Sequence, residues 1–302
     1  MIAEFLTRES WQVVQTIDLG TTARVLVIER DGERWALKIR RDGMLDAAAL
    51  LTEYRLLRYL NATPMRLHVP HLEAWLPDVG GFLMEHLRYP TRAEKQEPGW
   101  PKELAHALRT LHDVDPPHIP GLPDDRPRVG RAVSKRFRRL FATLLRTDRF
   151  WTRLSEEDRP KLQRVRAYYP LYAHLLSQVS DSLAQARVAL THGDLAGDNL
   201  MLTQEGRLAL TDWGSARISA ALVDAASLSL YMHWSLDERS RFCDLYLGGP
   251  SEAHKQALHS LDQLARLHRY RSCVQPLLWL REGAAGLDAV GRAFFERQLD
   301  AL

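Results

Sequence analysis

One stretch constrains this chain more than any other: RVALTHGDLAGDNLMLTQEGRLALTDWGSA, residues 187–216. Short apolar runs alternate in it with His192, Asp194, Asp198, Asn199 and Asp212, and Gly206 supplies a turn between two of the runs. The pattern reads as a small hairpin inserted among helices. The polar residues crowded at its start make it either a surface turn or a reaction centre.

The rest of the chain divides into an alternating part and a helical part. WQVVQTIDLG, ARVLVIERDG and RWALKIR are short runs rich in Val, Ile, Leu and Trp, with turn signals at Gly20 and Asp31-Gly32. They predict an antiparallel meander. DAAALLTEYRLLRYL, residues 46–60, changes to a helical period, with Leu50, Tyr54 and Leu57 on one stripe and Asn61 and Pro64 closing it. Two further apolar runs interrupted at Val79-Gly80-Gly81 read as a hairpin, so residues 10–87 are expected to form a five-stranded sheet with one helix. The polar segment RYPTRAEKQEPGWP after Leu87 marks a linker. PKELAHALRTLHDVD then starts a helix at a proline, and helical stripes dominate the remainder.

Composition removes several classes of function. Forty-one Lys and Arg against 38 Asp and Glu give a formal charge of +3, too small to make nucleic-acid binding the default. Cys243 and Cys273 lie far apart, with no Cys or His at zinc-ligand spacing, which fits a reducing cytoplasm. MIAEFLTRES carries Glu4 early and lacks the basic start and apolar stretch of a signal peptide. No run approaches the roughly 18 apolar residues of a membrane helix. A cytoplasmic protein without a membrane span is expected.

The spacing within 187–216 matches the catalytic and metal-binding loops of protein-kinase-like enzymes: His192-x-Asp194, then Asn199, then Asp212 and Gly214 after one more short strand. The residue types suit the chemistry. Magnesium takes hard oxygen ligands, here Asn199 and Asp212. Asp194 is placed to accept or orient the proton of an attacking hydroxyl, with His192 bracing the loop. Such a site also needs a lysine on the third strand and a glutamate on the next helix, and Lys38 in ALKIR and Glu53 occupy those places. Between the first two strands, DLGTTARV offers Gly20, Thr21 and Thr22, whose backbone N–H groups are candidates to cover phosphates or to form a plain hairpin turn.

These motifs resemble those of the aminoglycoside phosphotransferase family, small-molecule kinases with the two-lobed protein-kinase architecture. THGDLAGDNLM has HGD where protein kinases have HRD, LTDWGSA has Trp213 in the DFG position, and LAHALRTLHDVDP is similar to the family's helix ending in Leu-His. The family often has His-Pro-Gly-Asn where this chain has Ala196-Gly197-Asp198-Asn199, a departure that removes no catalytic group. FLMEHL resembles the hinge, which implies that the Glu85 carbonyl and Leu87 N–H meet adenine with Met84 behind it. His112 is implied to be a structural contact, and Asp224 a support for the catalytic loop.

The resemblance implies an α+β fold with a nucleotide-binding lobe over residues 1–87 and a mostly helical lobe over 88–302 that holds the catalytic loop and acceptor site. It also implies ATP and Mg2+ as cofactors and phosphoryl transfer to a small hydroxylated molecule, either an antibiotic such as an aminoglycoside or macrolide, or an amino alcohol or sugar. DWGSARISAALVDAASL lacks the Ala-Pro-Glu of a protein-kinase activation segment, which argues against peptide substrates. The alternatives are a nucleotide-binding scaffold and, ranked below it, a nucleic-acid-binding protein using the basic segment RPRVGRAVSKRFRRLFATLLRTDRFWTR. That segment otherwise reads as an amphipathic helix with a basic outer face.

Overall fold

The computed structural model describes residues 2–17, 23–40, 47–91, 94, 100–145, 151, 154–183, 186–195, 197–249, 252–281 and 289–301. The chain divides into two compact units, Met1–Asp124 with Ala189–Ile218, and Asp125–Val188 with Ser219–Leu302.

In the first unit the alternating runs become β1 (Gln12–Ile17), β2 (Ala23–Arg30), β3 (Glu33–Arg40), β4 (Leu72–Leu76) and β5 (Gly81–Glu85), joined in the order β1-β2-β3-β5-β4 with every pair antiparallel. Asp31 and Gly32 both take positive φ, 53° and 84°, which is the twist a two-residue hairpin needs to bring β2 back onto β3. Side chains alternate across the sheet. Leu26, Ile28, Leu37, Ile39 and Leu83 pack on one side around Phe5 of a short helix α1 (Ile2–Arg8). Seven residues are too few to show a helical period, and no local signal predicts α1.

The helix read from residues 46–60 is α2 (Ala47–Ala62), packed on β3, β4 and β5. Its Tyr54 ring lies against Trp75 and Phe82, with ring centroids 5.4 and 5.9 Å away. A further helix, α3 (Trp100–Asp113), buries Leu104, Leu108 and Leu111. The segment around Gly206 forms the expected hairpin, β7 (Leu200–Leu202) with β8 (Leu208–Leu210), in the register Leu200↔Leu210. It follows β6 (Val188–Thr191), which pairs with β9 (Arg217–Ala220).

The second unit is helical: α4 (Val129–Leu145), α5 (Asp158–Ser182), α6 (Leu222–Tyr231), α7 (Leu236–Leu247), α8 (Glu252–Arg281) and α9 (Ala289–Asp300). α8 packs against all the others. Tyr270 is its anchor, stacked on Tyr172 at 4.1 Å, edge-on to Phe141 at 4.7 Å, and donating its hydroxyl to the Val165 carbonyl. An aromatic ring buried with its polar end satisfied is a core residue. Val129–Leu145 of the basic segment form α4, with Val133, Phe137 and Phe141 buried and Arg131, Lys135, Arg138 and Arg139 exposed. Arg136 departs from that outer face, pairing with Asp125 and with Ser219 Oγ. Among the described residues no helix is long and apolar enough to cross a membrane.

Candidate active site

The site forms within the first unit, around a lysine buried in a sheet. Leu37 and Ile39 of β3 point into the cluster around Phe5, so Lys38 faces the opposite side, where α2 lies. Lys38 is only 4% exposed. An ammonium taken so far out of water has to be paired. Its Nζ lies 2.8 Å from Glu53 Oε1 and 2.7 Å from Asp212 Oδ1.

Glu53 reaches this position because it occupies the core-facing stripe of α2, in line with Leu50, Leu57 and Leu60. A carboxylate there is as costly as the lysine unless its oxygens are used. Glu53 Oε1 accepts both Lys38 Nζ and the backbone N–H of Trp213, the latter at 3.0 Å. Asp212 arrives from the end of β8 in a left-handed conformation, φ 60° and ψ 68°. For a residue with a Cβ this costs roughly 1–2 kcal/mol, and such strain persists only where the surroundings impose it. Here it turns the Asp212 carboxylate to Lys38 while the next N–H meets Glu53.

The three charges act on one another. For Lys38, burial disfavours the charged amine, but Glu53 and Asp212 outweigh it and hold the amine above its ordinary value. Lys38 pulls the Asp212 carboxyl below its ordinary value against the effect of partial burial. Burial pushes the Glu53 carboxyl up, against the pull of Lys38.

The loop of residues 192–199 is braced from several sides. His192 is fully buried, and its Nε2–H donates to the Thr211 carbonyl at 2.8 Å while its ring lies 4.7 Å from that of Trp213. Gly193 has φ +81°, and a Cβ on it would stand 2.3 Å from the Ser215 carbonyl oxygen, so only glycine lets the loop pass there. Asn199 donates Nδ2 to the Asp194 carbonyl at 2.7 Å, and its own carbonyl accepts from Thr211 N–H at 3.1 Å. The amide is thus fixed with its nitrogen turned into the loop, leaving Oδ1 as a hard oxygen donor. Because Asn199 and Thr211 continue the β7–β8 register, Asn199 stands one residue from lying opposite Asp212.

At the end of β5, Met84 is buried opposite Ala36. The Glu85 carboxylate takes His68 Nε2 at 2.7 Å and the His71 N–H at 3.1 Å. Leu87 is buried, and Arg88 exchanges two backbone hydrogen bonds with Leu202 of β7, at 2.9 and 2.8 Å. The chain leaving the sheet is therefore laced to the hairpin that carries Asn199 and Asp212. Gly20, Thr21 and Thr22 lie outside the described residues. Gly193 and His68 were not singled out in the sequence. Nothing local marks His68, whose partner is 17 positions away, whereas the glycine of HGD is a visible signal of positive φ.

The model of the phosphotransferase enzyme family, APH, matches residues 13–264. The chain belongs to this family. It is thus a small-molecule kinase by class, with the protein-kinase-like fold shared by aminoglycoside phosphotransferases and choline kinases. Among solved structures, this phosphotransferase is similar to an ethanolamine kinase of Plasmodium vivax, at 15% identity and a TM-score of 0.68 over 97% of this chain and 81% of that one. It is similar to a macrolide 2'-phosphotransferase of Brachybacterium faecium, at 17% identity and a TM-score of 0.63 over 100% and 96%. An ADP-bound aminoglycoside phosphotransferase, APH(2'')-Ib, aligns at 14% identity with a TM-score of 0.62 over 99% and 96%. No curated protein sequence matches the phosphotransferase.

Proposed function

We propose that this phosphotransferase moves the γ-phosphoryl group of ATP, held with Mg2+, to a hydroxyl of a small molecule. The observation that carries this reading is the Lys38–Glu53–Asp212 cluster, set beside an Asn199 whose amide is tied to the Asp194 backbone. The donors suit Mg2+. Asp212 is kept ionised by Lys38 yet has a half-exposed side chain, and Asn199 offers Oδ1, a pair of hard protein oxygens of the kind magnesium takes alongside phosphate and water. Bound MgATP supplies the transferable group and neutralises its charge.

The roles of the chain's own residues follow. Lys38, oriented by Glu53, binds phosphate oxygens, and Asn199 with Asp212 holds the metal. Asp194 orients the acceptor hydroxyl and takes its proton on the carboxylate, while His192 keeps the loop in register through Thr211. The Glu85 carbonyl and Leu87 N–H receive adenine, with Met84 behind, and Gly20, Thr21 and Thr22 cover the phosphates. Residues 1–87 act as the nucleotide lobe and 88–302 carry the catalytic loop and acceptor site. The acceptor is an amino alcohol, an aminoglycoside or macrolide, or a sugar, the first two classes being those the structural relatives are named for. A cytoplasmic setting, where ATP is abundant, fits this activity.

The test is magnesium-dependent ADP release from ATP by the purified protein, against a panel of aminoglycosides, macrolides, amino alcohols, sugars and nucleosides. Stimulation by one class that disappears in Asp194→Ala supports the reading. Nucleotide binding without stimulation by any acceptor would move the protein to the scaffold alternative.

A further inference from the structure

In the helical unit, one carboxylate is shared by two guanidinium groups. Asp262 of α8 takes Arg239 Nη1 of α7 on Oδ1 at 2.7 Å and Arg266 Nε on Oδ2 at 2.9 Å. Arg269, one turn beyond Arg266 on α8, makes no ion pair with a carboxylate among the described residues, and its Nε is buried without a hydrogen bond. The Nε of Arg239, whose side chain is 12% exposed, is likewise buried without one. Among the described residues, three guanidinium groups thus share one carboxylate, and two of them keep a buried Nε without a hydrogen bond.

The clustered positive charge is felt by its neighbours. Burial lowers the Arg239 pKa, and Arg269 and Arg266 lower it further against the pull of Asp262. His233 sits beside the group in the turn before α7, in a left-handed conformation with φ 54°. Its pKa is lowered by burial and then by Arg297 and Arg269. Buried N–H donors are nearly always satisfied in folded proteins, and uncompensated buried charge is costly. The planar guanidinium fork, which cannot deprotonate, matches the paired oxygens of a carboxylate or phosphate.

We propose that Arg239, Arg266 and Arg269 form a binding site for an oxyanion, the phosphate or carboxylate group of a small molecule, within the helical unit. The site draws on residues of the helical unit alone, and the proposal does not depend on the phosphoryl-transfer reading. It accounts for the two buried Nε donors that have no hydrogen bond among the described residues.

Binding of inorganic phosphate and of succinate to the full chain, followed by calorimetry and by thermal unfolding at constant ionic strength set with sodium chloride, tests it. Saturable binding is expected, with the dissociation constant raised about tenfold or more by Arg269→Gln, a loss equal to one charge-assisted contact. Lys38→Ala should leave it unchanged. In buffer without phosphate or carboxylate, Arg269→Gln should unfold no earlier than the parent protein, since it removes a buried Nε that has no hydrogen bond; an arginine with a merely structural role would lose stability there and keep the anion response. If Arg269→Gln does not fold, the more exposed Arg266→Gln serves in its place. Binding of phosphate alone assigns a phosphate ligand, and binding of succinate alone a carboxylate. Absence of both, indifference to the arginine variants, or loss of binding in Lys38→Ala would overturn the proposal.

Discussion

The backbone N–H of Trp213 donates to Glu53 Oε1 at 3.0 Å, joining residues 160 positions apart. Because that oxygen also accepts Lys38 Nζ, one helix carboxylate positions both the buried lysine and the turn that presents Asp212. Glu53→Ala would strand the buried Trp213 N–H and leave Lys38 with Asp212 as its one remaining carboxylate among the described residues, a loss of about 1–3 kcal/mol for the stranded donor alone. Urea unfolding should show that loss together with weakened nucleotide binding, and an unchanged midpoint would show that Glu53 is not what holds the turn.

Asp194→Ala is expected to lower kcat by on the order of 10² to 10⁴ through lost proton transfer and orientation. Nucleotide affinity should stay near that of the parent protein, since the proposed role lies at the acceptor hydroxyl. Steady-state kinetics paired with calorimetric nucleotide titration checks both halves. A large loss of nucleotide affinity would relocate Asp194 to the nucleotide site.

Gly193→Ala places a Cβ 2.3 Å from a backbone oxygen at a positive φ, so the loop and the Trp213–Ser215 turn must move apart. Strain at such a position costs about 1–3 kcal/mol. The melting temperature should fall, and activity with it, because His192 and Asp194 flank the displaced residue. A variant with native stability and turnover would show that the loop has room the geometry denies.

The Lys38–Asp212 pair sets a wide pH window. Lys38 is held above its ordinary 10.5, burial being outweighed by Glu53 and Asp212, so its contribution to stability is complete below about pH 10.5 and is lost as pH rises through the folded-state value. Asp212 is held below its ordinary 3.8 by Lys38, so its contribution is complete above pH 3.8 and is lost as pH falls through the lower folded-state value. The side-chain NMR signal of Lys38, assigned by comparison with Lys38→Met, should therefore not titrate until the pH passes 10.5. Titration below that value would contradict the buried pairing.

Both thiols should be inert in the folded protein. Cys243 and Cys273 are 1% and 0% exposed, and burial pushes each up to about 12, with Asp244 adding to the effect at Cys243. A thiol reagent at neutral pH should find no rapidly reacting group until denaturant is added, and then two. Rapid labelling of the native protein would mean that α7 or α8 opens readily.

By itself the sequence determined the five strands of the sheet and α2, the hairpin about Gly206 and the order of Lys38, Glu53, Asp194, Asn199 and Asp212. Each of these rests on a pattern that is local in the chain: alternation at period two, a stripe at period 3.6, turn residues, or fixed motif spacing. Tertiary structure alone decided where the charges end up. Arg136 reads as one more residue of a basic helix face until Ser219, 83 positions away, and Asp125 are folded against it. The left-handed turn at Asp212 and the tie from Glu85 to His68 also leave no local trace. Arg269 stands among Arg266, His268 and Arg271 in the sequence, and only the folded helical unit leaves its Nε buried without a hydrogen bond. The reason is common to all of them: desolvating a charged or polar group is costly, and its compensating partner comes from whichever remote element packs beside it, a choice made by the three-dimensional arrangement and not by neighbours along the chain.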